Sequence, residues 1–205
     1  SSDYAKGLAA SFKTTFEAGG GTIVAQEAYL KGDTDFNAVI TSIKNQDIDT
    51  IFIPGYYEEV GLIIKQARTQ GINVPILGAD GVDSPELVNL AGAKALNDVY
   101  FSNHYSSLDK DPTVAQFIQD FKAKYNKEPD AFNALGYDLV KFLADGIGRA
   151  EKLNGESVKD ALEATKDFVG VTGSFSIDEN HNAVKAIVVI GLKDGVQATS
   201  ERISK

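Results

Sequence analysis

Apolar residues in the first hundred positions follow two alternating periods, one helical and one strand-like. Leu8, Phe12 and Phe16 recur with the spacing of one helical face, and a run of glycines from residue 19 ends that helix. Short apolar or β-forming runs then alternate with further helical stretches. This order predicts an α/β fold with a doubly wound parallel sheet, whose strands are joined by right-handed helical crossovers.

The predicted strands of this half are short and bounded by turn residues, as expected for strands that helices cover on both faces. They lie at residues 22–29, 50–53, 75–78 and 99–101. A helix capped by Asp33 or Thr34 follows the first strand. Helices at about 58–70 and 85–90 follow the second and third strands.

Helical periodicity dominates the chain from His104 to about residue 165. The predicted helices span residues 112–125, 130–152 and 157–165, and the predicted strands after them span 173–177 and 186–192. This change from alternating strand and helix periods to mainly helical periodicity predicts two domains. Residues 1–105 form an α/β lobe that lacks its first strand, and residues 106–205 form a crossover and the return segment of another lobe, ending in a β-hairpin.

Composition limits the classes of function. The 205 residues carry a formal net charge of −9 without a basic cluster, so we expect no nucleic-acid partner. The longest apolar run, 186–192, is far shorter than the roughly 20 residues of a membrane span. Cysteine is absent, which excludes disulfides and thiolate metal sites. Methionine is absent even at position 1, so we expect a truncated chain whose signal peptide was removed.

Motifs for covalent chemistry are missing from the sequence. The chain has no nucleophile elbow, phosphate loop, dinucleotide fingerprint or zinc-protease helix, and its two histidines, His104 and His181, stand far apart. Asp178, Asn180 and Asn182 match the start of a calcium loop, but the glycine and glutamate that such a loop requires are absent. We therefore expect no enzyme activity, no catalytic residue, no metal and no cofactor.

One edge of the predicted sheet carries the candidate site. Ligands of open parallel sheets bind beyond the carboxyl ends of the strands, where the loops at 54–57 and 78–81 lie. Tyr4 reaches the same edge if a strand precedes residue 1. Asp80 stands between small residues, which leaves room for a ligand at its carboxylate. The alternative is that Asp80 is a solvated turn residue and that Tyr4 and Tyr56 only pack.

Seven segments of the sequence carry a family resemblance. They are SDYAKGL at 2–8, GDTDF at 32–36, PGYYE at 54–58, GADG at 78–81, KYNKEP at 124–129, GYD at 136–138 and FVGVTG at 168–173. In this order and spacing, over essentially the whole chain, the sequence resembles the branched-chain amino-acid-binding proteins of ABC importers. The resemblance implies a type I periplasmic-binding-protein-like fold with two lobes, of which this chain is the C-terminal portion.

The resemblance implies roles for four residues. Tyr4 and Tyr56 match aromatic positions that wall the ligand, and Phe132 matches an aromatic residue that the other lobe contributes. Asp80 matches the acidic position that pairs with the α-ammonium of the ligand. An anion, apolar walls and hydrogen-bond donors are what a zwitterionic amino acid requires.

The resemblance also implies a function, partners and a location. The protein would capture a branched-chain or related amino acid of the Leu, Ile or Val type and deliver it to an ABC permease in the membrane. It would lie outside the cytoplasm, in the periplasm or as a cell-surface lipoprotein. Two alternatives remain open: an α/β enzyme acting on a small amide or amino acid in the same crevice, and a ligand-sensing receptor module of the same fold.

We further expect the chain by itself to form a homo-oligomer. The family pattern places a strand before residue 1, beside the strands at 22 and 50, so the sheet would have an unpaired edge. The helices between 112 and 165 would lack the sheet that they normally cover. Large apolar side chains would then be exposed, namely those of Phe117, Phe121, Phe142 and Leu143.

Overall fold

The computed structural model describes residues 2–204 and divides them into two units. The first unit comprises residues 2–102 and 190–199, and the second comprises residues 103–189 and 200–204. None of the described helices combines the length and the apolar character that a membrane crossing requires. The predicted boundary between two lobes, after residue 105, refers to the whole protein and stays a prediction.

The described residues form seven α-helices and eight strands. The helices are α1 (Asp3–Ala18), α2 (Asn37–Lys44), α3 (Tyr57–Thr69), α4 (Glu86–Ala91), α5 (Pro112–Tyr125), α6 (Ala131–Arg149) and α7 (Gly155–Glu163). The strands are β1 (Ile51–Phe52), β2 (Ile76–Gly78), β3 (Val99–Asn103), β4 (Phe168–Gly170), β5 (Gly173–Ile177), β6 (Ala183–Lys185), β7 (Ile187–Lys193) and β8 (Val196–Ile203).

A five-stranded sheet lies largely in the first unit. Its strand order is β1-β2-β3-β7-β8, and β1, β2 and β3 run parallel, with Ile76 opposite Ile51 on one side and Val99 on the other. Ile76 and Val99 are buried, as expected for strands that are covered on both faces. The predicted strands at 50–53, 75–78 and 99–101 and their parallel direction are confirmed.

The helix α3 buries one apolar face. Val60, Ile64 and Ala67 are almost fully buried. The next helix, α4, packs on α3. A side chain at Gly61 would lie 2.9 Å from the Cβ of Leu90, so a glycine at this position lets the two helices approach.

Two predictions in the first unit are wrong. Residues 22–29 form no strand, because a strand needs a hydrogen-bonded neighbour and the described chain supplies none to this segment. The helix α2 begins at Asn37, and its first N–H donates to the carboxylate of Asp35 at 3.0 Å. Asp33 instead accepts from the backbone N–H of Leu30 in the preceding turn, so neither Asp33 nor Thr34 caps the helix.

The second unit has its own apolar cluster, which corrects the expectation of exposed helices. The helices α5 and α6 pack against the segments around residues 105 and 171. The cluster contains Tyr105, Val114, Phe117, Ala131, Ala134 and Val171, with Ile118 and Phe121 packed against it. Phe117 is therefore buried and Phe121 is half-buried, whereas Leu143 is exposed as expected.

An antiparallel sheet of three strands, β4-β5-β6, completes the second unit. Phe142 of α6 lies against Phe168 and Phe175 of this sheet, at ring-centroid distances of 5.5 and 5.3 Å, so Phe142 is half-buried and not exposed. A turn at 178–182 joins β5 to β6, and His181 adopts a positive φ of 63° within it. The short strand β6 was not predicted.

Candidate functional site

The carboxyl ends of β1 and β2 lie side by side and carry two short loops. The parallel register pairs Phe52 with Leu77, so both strands end at the same edge of the sheet. Tyr56 is the N-cap of α3, which follows β1 after a short loop. The chain leaves β2 through Ala79 into a single 3-10 turn, Asp80–Val82. These loops occupy the position where open parallel sheets bind ligands.

The first turn of α1 brings Tyr4 to Asp80. The Tyr4 hydroxyl donates to Oδ1 of Asp80 at 2.6 Å and accepts from the backbone N–H of Gly81 at 3.0 Å. The hydroxyl of Ser2 accepts from the N–H of Ala5 at 3.1 Å, which caps α1 and fixes the turn that carries Tyr4. Tyr4 and Asp80 therefore lie at one edge of the sheet, as the sequence predicted.

The environment of Tyr4 keeps its hydroxyl protonated. Burial raises the pKa of Tyr4 above that of an exposed tyrosine, and the hydrogen bond to Asp80 raises this pKa further. The N–H of Gly81 acts in the opposite direction but does not outweigh them. At neutral pH the phenol is therefore a hydrogen-bond donor to the carboxylate, and it is not available as a general base.

Tyr56 joins this pair through its ring. The rings of Tyr4 and Tyr56 are stacked, with centroids 5.0 Å apart and planes inclined at 26°. The loop after β1, the turn after β2 and Tyr4 approach closely at Gly81. An added Cβ at this residue would lie 2.5 Å from the carbonyl oxygen of Gly55 and 3.0 Å from the Tyr4 hydroxyl. A side chain at Gly81 would therefore push against both the loop after β1 and Tyr4.

Phe132 belongs to the second unit and is the second residue of α6. A capping box holds this end of the helix: Asp130 accepts from the N–H of Asn133, and the Asn133 side chain accepts from the N–H of Asp130. Phe132 is 41% exposed, which leaves its ring available for contact with another molecule or segment. Its ligand contact stays a prediction, as do those of Tyr4, Tyr56 and Asp80.

The arrangement in the first unit suits recognition of a cation better than covalent chemistry. One carboxylate lies beside two aromatic rings, and all three groups lie at the edge of the sheet where β1 and β2 end. A carboxylate pairs with an ammonium group by charge-assisted hydrogen bonds, and the rings supply apolar area. The raised pKa of Tyr4 disfavours a phenolate, so the hydroxyl serves as a hydrogen-bond donor to Asp80.

Two structural features of the chain were not predicted from the sequence. The role of the Gly81 N–H depends on backbone direction, which no residue pattern reports. A second carboxylate, Asp138, is buried in the second unit and accepts from the N–H groups of Val171 and Thr172, both at 2.8 Å. Asp138 lies four residues after Ala134, on the inner face of α6, and this spacing could have indicated that Asp138 is buried.

Comparison with known proteins gives matches over most of the chain. The periplasmic binding protein family matches residues 1–197. A leucine-, isoleucine-, valine-, threonine- and alanine-binding protein of Pseudomonas aeruginosa is 32% identical over 177 residues, which are 86% of this chain and 46% of that protein. A Leu/Ile/Val-binding protein of Rhizobium johnstonii is 34% identical over 177 residues, 86% of this chain and 47% of that protein.

Solved structures with the same fold extend these matches. The substrate-binding protein LivJ of a branched-chain amino acid transporter from Streptococcus pneumoniae, in complex with isoleucine, has a TM-score of 0.88 and 41% identity, over 100% of this chain and 57% of LivJ. The leucine-binding protein LivK of Thermotoga maritima has a TM-score of 0.91 and 37% identity, over 98% of this chain and 57% of LivK. The chain spans about half the length of the curated relatives that it matches. With the family match covering nearly all of its residues, this chain belongs to the periplasmic binding proteins.

Proposed function

We propose that the protein binds a branched-chain or related amino acid and delivers it to an ABC importer. The observation that carries the proposal is the carboxylate of Asp80, which is held by Tyr4 beside the stacked rings of Tyr4 and Tyr56. Two relatives are named as binding proteins for leucine, isoleucine and valine, which supports the same class of ligand. The LivJ structure, which contains isoleucine, supports it as well.

The chemistry of a free amino acid suits these residues. Its α-ammonium group pairs with the carboxylate of Asp80, and its aliphatic side chain packs against the rings of Tyr4 and Tyr56. Phe132 is proposed as a further apolar contact of the ligand. The carboxylate of the ligand needs hydrogen-bond donors, which we assign to the part of the relatives that this chain does not span.

Partners and location follow from the proposed transport role. The protein acts outside the cytoplasm, where it meets its ligand, and its partner is a permease in the membrane. We propose no enzymatic turnover, because the raised pKa of Tyr4 disfavours a phenolate nucleophile beside Asp80. Residues 1–105 and 106–205 are proposed to be parts of two lobes that close on the ligand.

Titration calorimetry of the protein at its complete natural length tests the proposal. A screen of amino acids is expected to give binding of leucine, isoleucine or valine. The variant Asp80→Ala removes the partner of the ammonium group and is expected to bind about ten- to hundredfold more weakly, since a charge-assisted hydrogen bond contributes about 1.5–3 kcal/mol.

A matched variant controls for general loss of charge. Asp49 is an exposed aspartate of the same unit, and Asp49→Ala is expected to bind like the wild-type protein. Equal affinity of the wild-type protein and Asp80→Ala would show that Asp80 is only a turn residue. Conversion of an amino acid or amide, abolished by Asp80→Asn, would favour the enzyme.

A further inference from the structure

We propose that the Tyr4 hydroxyl is a positioning group that holds the Asp80 carboxylate ready for the ammonium group of the ligand. A relay of two hydrogen bonds, from the Gly81 N–H to Tyr4 and from Tyr4 to Asp80, carries this role. The inference rests on the proposed function and adds a task for Tyr4 that differs from providing an apolar wall.

The direction of the relay follows from the inventory of donors and acceptors. A backbone N–H only donates, so the oxygen of Tyr4 accepts from Gly81 at 3.0 Å. The single proton of the phenol is then directed at Oδ1 of Asp80, 2.6 Å away. Asp80 is thereby an acceptor in this bond, which suits the ionised carboxylate that an ammonium group requires.

The relay joins parts of the chain that are distant in sequence. Asp80 and Gly81 are neighbours in the turn after β2, whereas Tyr4 precedes Asp80 by 76 positions and lies on α1. One hydroxyl therefore ties the first turn of α1 to the loop that carries the carboxylate. A group that is fixed before binding does not lose its freedom on binding, so preorganisation of this kind strengthens the complex.

Gly81 is part of the same device. An added Cβ would lie 3.0 Å from the Tyr4 hydroxyl and 3.2 Å from Cδ1 of Tyr56, so a side chain would displace the hydroxyl that Gly81 holds. The absence of a side chain lets the N–H and the hydroxyl meet at hydrogen-bonding distance.

The variant Tyr4→Phe separates the hydroxyl from the ring. Phenylalanine retains the apolar surface and the stacking on Tyr56, and it removes only the relay. If Tyr4 served as a wall alone, the variant would bind as the wild-type protein does. With the relay, leucine is expected to bind about three- to tenfold more weakly to Tyr4→Phe, as measured by calorimetry on the protein at its complete natural length.

A double-mutant cycle shows whether the hydroxyl acts through Asp80. In the Asp80→Asn background, Tyr4→Phe is expected to cause no further loss, because the carboxylate that it positions is already gone. The control is Tyr100→Phe, which removes the hydroxyl of an exposed tyrosine on β3 and is expected to leave affinity unchanged.

A spectroscopic readout tests the relay without any ligand. In protein labelled with ¹³C at the tyrosine ζ carbon, the Tyr4 resonance reports ionisation of its phenol during an alkaline titration. The variant Asp80→Asn is expected to lower the pKa of Tyr4, because the carboxylate that stabilises the protonated phenol is removed. A Tyr4 resonance that titrates identically in both proteins would overturn the relay.

The outcomes separate this inference from the proposed function. A wild-type protein that binds no amino acid overturns the proposed function, and the positioning role falls with it. A wild-type protein that binds leucine while Tyr4→Phe has equal affinity, or loses affinity additively with Asp80→Asn, overturns the positioning role and leaves the function intact.

Discussion

Asp80 and Asp138 are two of the carboxylates that accept hydrogen bonds from groups distant in sequence. Asp80 accepts from Tyr4 at the sheet edge, and Asp138 accepts from the backbone of Val171 and Thr172 and from the Thr172 hydroxyl at 2.7 Å. Asp138 is only 4% exposed, so it interacts with other groups of the protein and hardly with water. At the scale of single residues, the first carboxylate suits binding and the second suits stability.

Replacement of Asp138 by asparagine is expected to destabilise the protein by about 2–3 kcal/mol. The amide keeps the shape but replaces one acceptor oxygen by a donor, which then faces the N–H of Val171 or Thr172. Urea unfolding at neutral pH measures the change. The control Asp120→Asn, at an exposed position on α5, is expected to stay within about 0.5 kcal/mol. Equal stability of both variants would contradict the structural role of Asp138.

Elements defined by strong local signals were predictable, and elements that depend on distant partners were not. The helix α5 has the predicted bounds, 112–125, because a proline begins it and Asn126 ends it in a left-handed conformation. The segment 22–29 has the composition of a strand but no neighbour among the described residues. The cap of α2 was misplaced because Asp33, Thr34 and Asp35 are all good caps, and only the turn at Leu30 decides between them.

The sheet β4-β5-β6 brings a lysine to Thr172, whose hydroxyl donates to the buried Asp138. Nζ of Lys185 on β6 donates to the Thr172 hydroxyl at 2.6 Å and lies 5.9 Å from the ring centroid of Phe175. Burial lowers the pKa of Lys185 to about 8; Asp138 opposes this effect, and Arg202 adds to it. The folded protein therefore releases this proton at a lower pH than the unfolded chain, whose lysine titrates near 10.5.

Stability is therefore expected to rise between about pH 8 and pH 10 because of Lys185. In this window the unfolded chain retains a proton that the folded protein has lost, so higher pH favours the folded protein. Urea unfolding of the wild-type protein and of Lys185→Met is compared at several pH values, and the variant is expected to lack this rise. Lys127→Met, at an exposed position, is expected to keep it. The same pH dependence in Lys185→Met and the wild-type protein would exclude Lys185 as its source.

At the scale of the whole molecule, the candidate site was predictable as a place but not as a geometry. Tyr4, Tyr56 and Asp80 come from three separate segments, and parallel strands bring such segments to one edge. The hydrogen bond from Tyr4 to Asp80 depends on ångström-scale positions that no residue pattern specifies. Phe132 was identified only through the family resemblance, because an exposed aromatic residue in the first turn of a helix has no distinctive spacing.

The 205-residue chain prepared by itself is expected to self-associate through α6. Leu139 and Val140 are 65% and 68% exposed, and Leu143 and Ile147 continue the same stripe of the helix with partial exposure. Burial of one such side chain contributes about 1.5–3 kcal/mol, so a stripe of four favours contact with a second copy. Light scattering from low to high micromolar concentration is expected to show a rising mass, and Val140→Glu is expected to abolish the rise by placing a charge in the contact. Val196→Glu, at an exposed position on β8, controls for added charge and is expected to associate normally. A constant monomeric mass of the wild-type chain over this range would contradict the prediction.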